Sequence, residues 1–345
     1  MGDLPTISDV AMRAGVSRQT VSNVFNAPAR VRPETRERVE AVVTQLGYRP
    51  HASARRLRTQ KSSTIGIRLD PVTDGISGSV LDRFLHAITE QAEARGLRIM
   101  LFTATSAEDE IRQFRRLRDG ADVDAFVLTS TFHGDPRTEW LIANGQPFVT
   151  FGRPWGLDDM NEPHHLWVDV DGWFGVREAT RHLLSHGSRV GYIGWPSPSG
   201  TGDERRRGWR DAMVESGWPQ RDLGRLEATA QEGVTHGADA LRRLQGQAGE
   251  LDAVVCASDS LALGAIMASA GRVPVAGYDN TPVASSIGFS SVEQPLEEVA
   301  AAVLELLPAP HGRSQQASTA PRHRLLRPRL VEREFALPGI AGAAG

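Results

Sequence analysis

The chain has 345 residues, a formal net charge of −3 and 40% apolar residues. That length exceeds one small domain and suggests two or three with real cores, and the one cysteine, Cys256, excludes internal disulfides. The opening residues are polar and acidic, and the stretch from Leu251 to Ala270 is interrupted by Asp252, Ser258, Asp259 and Ser260. Neither a signal peptide nor a membrane span is therefore expected, and a reducing, cytoplasmic location is.

The charge is unevenly distributed. Residues 1–61 carry a net charge of +6 and the remainder −9. A basic head on an acidic body is the layout expected when one domain alone meets a polyanion. Within the head, Thr6 and Asp9 form a capping box that opens a first helix. Ile7, Val10 and Ala11 share one face. Gly15 sits where a turn needs positive φ. Ser17 caps a second helix whose Val21 and Val24 point inward. Arg18, Gln19 and Asn23 are left on the outer face, where they can present paired donors or acceptors to base edges. Pro33 then fits the first turn of a third helix, striped by Val39, Val42, Val43 and Leu46 and ended by Gly47. A short basic helix follows, Tyr48 to Arg58, with an exposed leucine at Leu57.

These stretches resemble the lac repressor and purine repressor (LacI/GalR) family of bacterial transcriptional regulators. The carriers are Thr6-Ile7-x-Asp9-Val10-Ala11, Ala14-Gly15-Val16-Ser17, Thr20-Val21-Ser22-x-Val24-x-Asn26, Leu46-Gly47-Tyr48-x-Pro50 and Ala54-Arg55-x-Leu57. The resemblance implies that Arg18, Gln19 and Asn23 read bases. Ser17, Thr20 and Ser22 would set register on phosphates. His51, Ala54, Arg55, Leu57 and Arg58 would belong to a hinge helix in the minor groove, with Leu57 wedged into the central base step and the arginines near phosphates. His51 stands where the family commonly has Asn. Such a short helix is expected to order mainly on DNA.

Residues 58–64 are polar and read as a linker. Beyond them strand-like runs at 65–69, 97–102, 125–128, 147–151, 190–194, 253–257 and 273–278 alternate with helical stretches such as 80–95, 173–186, 204–216 and 259–270. This alternation predicts parallel sheets covered by helices. The absence of a Gly-x-Gly-x-x-Gly run after the first strand favours two lobes over a dinucleotide enzyme. The family resemblance continues through Asp171-Gly172-x-x-Gly175, Arg205-x-x-Gly208, Ser258-Asp259-x-x-Ala262-x-Gly264, Gly277-Tyr278-Asp279 and Gln294-Pro295. It implies a fold class of N-terminal all-α helix-turn-helix head with hinge helix, followed by a two-lobe α/β body like the periplasmic sugar-binding proteins.

The expected domains are 1–50 for the DNA-binding head, 51–63 for hinge and linker, and 64–345 for ligand binding and dimerisation. Lobe 1 is expected at about 64–162 plus 291–325, and lobe 2 at about 163–290 plus 326–337. Open α/β sheets bind ligands beyond the carboxyl ends of their strands. Arg205, Asp279 and Ser258, with Gln294 at the hinge and Asp74 in the loop after the first strand, are the candidate effector contacts. An arginine and an aspartate held together can grip vicinal hydroxyls. Asp259 reads as a helix cap, and one of Trp155, Trp173 and Trp195 could stack on a sugar ring or simply pack. Gly152 and Ser258 depart from the family's usual Asp and Asn.

The expected function is a ligand-responsive DNA-binding regulator, a repressor of carbohydrate-utilisation genes released by a mono- or oligosaccharide. It would act as a homodimer on a palindromic operator. A purine- or nucleoside-type co-repressed regulator is the alternative. An enzyme with a fused DNA-binding head is disfavoured, because no Gly-x-Ser-x-Gly, phosphate loop or His-x-x-x-His pattern stands in the right context. No cofactor or metal is expected.

Overall fold

The structure is a computed structural model that describes residues 5–48, 62–70, 76, 78–155, 160, 162–307 and 322–334. It divides into two compact units, residues 1–62 and 63–345.

Among its described residues the first unit packs three α-helices, α1 (Ile7–Ala14), α2 (Arg18–Asn26) and α3 (Pro33–Leu46). Thr6 caps α1 as the sequence predicts: its hydroxyl accepts from the Asp9 amide, and the Asp9 carboxylate accepts in return from the Thr6 amide at 2.7 Å. Gly15 ends α1 with φ +63°, a conformation that would strain any residue carrying a Cβ. Ser17 caps α2 through the Thr20 amide at 3.0 Å. Val10, Ala11, Ala14, Val21, Val24, Val39 and Tyr48 close a small core. The inward valines of α2 fix which of its faces stays in solvent.

Among its described residues the second unit contains two six-stranded sheets. The first runs β2 (Arg98–Phe102), β1 (Thr64–Arg68), β3 (Ala125–Leu128), β4 (Phe148–Phe151), β5 (Leu166–Val170) and β11 (His323–Leu326), all parallel. The second runs β7 (Glu227–Thr229), β6 (Val190–Gly194), β8 (Ala253–Cys256), β9 (Val275–Tyr278), β10 (Ser290–Glu293) and β12 (Arg329–Val331). Only the β10–β12 pairing of the second sheet is antiparallel. Four-residue runs such as Ala253–Cys256 are buried throughout, as strands covered on both faces must be.

Helices cover each sheet. On the first lie α4 (Gly78–Ala94), α5 (Ala107–Asp119) and α6 (Pro136–Ala143). The second carries α7 (Gly172–Leu183), α8 (Gly200–Glu215), α9 (Val234–Ala248), α10 (Asp259–Ser269) and α11 (Pro282–Ile287). The next helix, α12 (Leu296–Leu306), returns to the first sheet: Leu296, Val299, Ala300 and Val303 are buried with Ile67, Val149 and Val168. The chain thus crosses between lobes after β5, after β10 and after β11.

These crossings differ from the boundaries expected at 163 and 291. β5 belongs to the first lobe because it completes that sheet beside β4, and β10 belongs to the second because it pairs with β9. A strand's lobe is set by its hydrogen-bonded neighbour, which the local pattern of the strand does not name. The expected hinge and linker, residues 51–63, lie almost wholly outside the described residues, as do Asp74 and the residues from 335.

Candidate functional site

Two surfaces carry chemistry. On the first unit, Arg18 and Gln19 are exposed on α2, and Thr20, Ser22 and Asn23 are half-exposed. Gln19 Nε2 donates to Asn23 Oδ1 at 3.0 Å, and the Ser17 and Thr20 hydroxyls are 2.9 Å apart. The two amides therefore form a joined unit. Gln19 keeps a second N–H and its carbonyl, and Asn23 keeps its amide N–H groups, so a bidentate edge remains. Five of the predicted contacts, His51, Ala54, Arg55, Leu57 and Arg58, lie outside the described residues.

On the second unit a cavity of about 300 Å³ opens at the carboxyl ends of both sheets. The first lobe supplies Ser130 and Thr131 after β3, Phe151 and Gly152 at β4, and Asp169 in β5. From the second come Trp195 after β6, Arg205 on α8, Glu232 before α9, Asp279 after β9 and Gln294 after β10.

Arg205, Asp279 and Gln294 are brought together as the sequence suggests. Arg205 lies with its guanidinium 3.5 Å above the Tyr278 ring and donates to the Ala257 carbonyl at 2.6 Å. Its outer nitrogen stands 3.9 Å from Asp279 Oδ1, and Gln294 Nε2 donates to that same oxygen at 2.7 Å. Burial pushes the Asp279 carboxyl up to about 7, against the pull of Arg205. Asp279 and Asn280 both have positive φ, +106° and +44°. Their turn is held by the Asp279 amide donating to the Val292 carbonyl and the Asn280 amide donating to Ser291 Oγ. Strain of this kind persists only where the surroundings over-determine it, and it concentrates at functional sites.

Ser258 takes the cap role the sequence suggests for Asp259, and neither residue lines the cavity. Ser258 caps α10 by accepting from the Leu261 amide, and its hydroxyl donates to Glu232 at 2.8 Å. It sits behind Glu232 and does not line the cavity. Asp259 is not the cap. Its carboxylate accepts from the Thr281 amide and hydroxyl and from Ser291 Oγ, tying α10 to the strained turn and to β10. Asp74 lies outside the described residues.

Four charged residues at or beside the cavity escape the sequence reading. Arg153 donates to Asp169 at 2.8 Å and pairs with Glu204 on α8, so one guanidinium joins the two lobes. It also lies 4.6 Å from the Trp155 ring centre. Burial raises the Asp169 and Glu204 carboxyls, opposed by Arg153. Glu232 is held by Trp195 Nε1 at 2.6 Å as well as by Ser258. The one available signal was Asp169, an acidic residue inside the buried apolar run Leu166–Val170. Gly152, by contrast, explains its own departure from the family: φ is +127°, and a Cβ there would lie 2.3 Å from Thr131 Oγ1. Of the three tryptophans, Trp195 faces the cavity. Trp155 packs against Gly200, and Trp173 donates to Asp211.

Among the described residues no group of three His, Cys, Asp or Glu is placed to hold a metal ion, and no helix is long and apolar enough to cross a membrane. Cys256 is fully buried, and burial holds its thiol well above the usual range.

Comparison with known proteins agrees with both halves of the chain. Residues 6–51 match the bacterial regulatory proteins of the lacI family. Residues 78–316 match the periplasmic binding proteins and sugar binding domain of the LacI family. The HTH-type transcriptional regulator CelR of Thermobifida fusca is 32% identical over 96% of this chain and 98% of its own. The HTH-type transcriptional regulator GalR of Salmonella typhimurium is 29% identical over 90% of each. Among solved structures, a transcriptional regulator CelR–cellobiose complex aligns over 96% of this chain and all of its own, with TM-score 0.69 and 29% identity. A lac repressor dimer bound to operator aligns over 97% of this chain and all of its own, with TM-score 0.77. At 22% identity that match speaks to the fold alone. The relatives are transcriptional regulators rather than enzymes. With a capped helix-turn-helix and a two-lobe cleft in one chain, both matched along nearly their full length, this protein belongs to the lacI family of bacterial regulatory proteins.

Proposed function

We propose that the protein is a cytoplasmic homodimer that binds a palindromic operator and is released from it by a sugar. The observation that carries this reading is the convergence of Arg205, Asp279 and Gln294 in an interlobe cavity of the same chain that presents Arg18, Gln19 and Asn23 on a capped helix. A 300 Å³ cavity lies at the lower end of small-molecule sites and suits one or two sugar rings. The relative whose solved structure holds cellobiose favours a saccharide over a purine.

In this reading Arg18, Gln19 and Asn23 read base edges, while Ser17, Thr20 and Ser22 fix register. The 51–58 segment enters the minor groove, with Leu57 as wedge beside Ala54, and His51, Arg55 and Arg58 on the backbone. Lobe 1 runs to β5 and regains α12 and β11; lobe 2 holds the remainder. Sugar contact with Arg205 and Asp279 shifts the lobe arrangement, and the hinge segments of the dimer lose their spacing. Differential affinity for the two arrangements, worth ~1–3 kcal/mol, is sufficient.

Selection of the full chain against a random duplex library should return a palindrome with two half-sites. Arg18→Ala should relax preference at one symmetric pair of positions without abolishing binding. Enrichment of asymmetric sequences, or of none, would overturn the reading.

A further inference from the structure

We propose that the cleft selects electrically neutral sugars and rejects phosphorylated or otherwise anionic ones. This deepens the sugar-effector reading above and rests on it. An arginine in a ligand cleft is the ordinary receptor for phosphate or carboxylate, because its fork of N–H groups matches their paired oxygens. Here each guanidinium already has a carboxylate beside it. Arg153 is spent between Asp169 and Glu204. Arg205 lies flat on Tyr278, gives one nitrogen to the Ala257 carbonyl and turns another toward Asp279.

Among the described residues, the cavity wall and the pair behind it therefore gather the carboxyls of Asp169, Glu204, Glu232 and Asp279 around two guanidiniums, Arg153 and Arg205. Glu232 cannot swing away cheaply, because Trp195 Nε1 and the Ser258 hydroxyl both donate to it. Burial, and further Asp259 and Glu232, raise the Asp279 carboxyl to about 7 against Arg205, so its surroundings disfavour added negative charge. A phosphate group brings close to two further charges into that wall. The hydroxyls of a neutral sugar instead supply donors to carboxylate oxygens that need them.

Calorimetric titration and thermal shift of the full chain should test matched pairs: glucose with glucose 6-phosphate, galactose with galactose 1-phosphate, and cellobiose with cellobionate. At least one neutral member should bind, and its anionic partner should bind about a hundred-fold more weakly or worse, the scale of like-charge rejection. Glu232→Gln should narrow that ratio, because it keeps the shape and removes one charge. An anionic member that binds as tightly as its neutral partner overturns the inference and leaves the sugar reading standing. Binding by neither class overturns the sugar reading itself, and the inference with it. A Glu232→Gln ratio equal to wild type overturns the inference that the carboxylate wall makes the discrimination.

Discussion

Asp279 shows how a single residue can be legible in sequence while its chemistry is not. The Gly277-Tyr278-Asp279 run marks it as a candidate, but the upward shift of its carboxyl comes from burial between β9 and β10. Unfolded, the group titrates near the ordinary 3.8; folded, near 7. Between those values only the folded chain keeps the proton. The stability this contributes is fully present below about pH 4 and is lost as pH rises through 7. The facing groups are Arg205, which opposes the shift, and Asp259 and Glu232, which add to it. Buried His165, held down to about 4, works in the opposite direction and is common to both proteins compared. The thermal midpoint of Asp279→Asn relative to wild type should therefore climb from pH 4 to about 7.5 and level off above. A flat difference across that range would mean that Asp279 is ionised throughout.

At the scale of elements, caps and stripes were readable because they are local. The Thr6–Asp9 box, the Ser17 cap and the αL glycine at 15 each follow from contacts within four residues. Ser258 and Asp259 misled because both residues can cap a helix, and only the position of Thr281 and Ser291 assigns Asp259 to the turn. The cap is testable. Ser258→Ala should cost ~1–2 kcal/mol, lowering the thermal midpoint, since it removes the Leu261 amide's partner. Because Ser258 stands behind Glu232, affinity for a bound sugar should change less than tenfold. A hundred-fold loss at unchanged stability would make Ser258 a direct contact instead. Short strands such as β7 and β11 went unseen. Three or four residues carry too little periodicity to register, and β11 exists because β5 offers it an edge.

At the scale of the whole molecule, the lobes of the second unit are tied across the cleft by Arg153 and Glu204, with Trp155 packed against Gly200. Removing one partner of a buried pair leaves a charge uncompensated, though Asp169 retains part of Arg153 here. Glu204→Gln should lower the thermal midpoint and, by loosening the tie, increase the radius of gyration in solution scattering. A lowered midpoint with unchanged dimensions would confine Arg153 to local stability.

Sequence alone determined the helix-turn-helix, the basic head on an acidic body, the alternation of strands and helices, and three cleft residues, Arg205, Asp279 and Gln294. Each rests on local pattern, on composition or on an ordered set of motifs. Tertiary structure alone decided which lobe owns β5 and β10, that Arg153 bridges Asp169 and Glu204, that Glu232 enters the cleft, and that Ser258 does not line it. Those outcomes depend on groups up to 51 residues apart meeting at the carboxyl ends of two sheets. Neither spacing nor periodicity encodes that distance, because it is set by which strands pair and by how the lobes close.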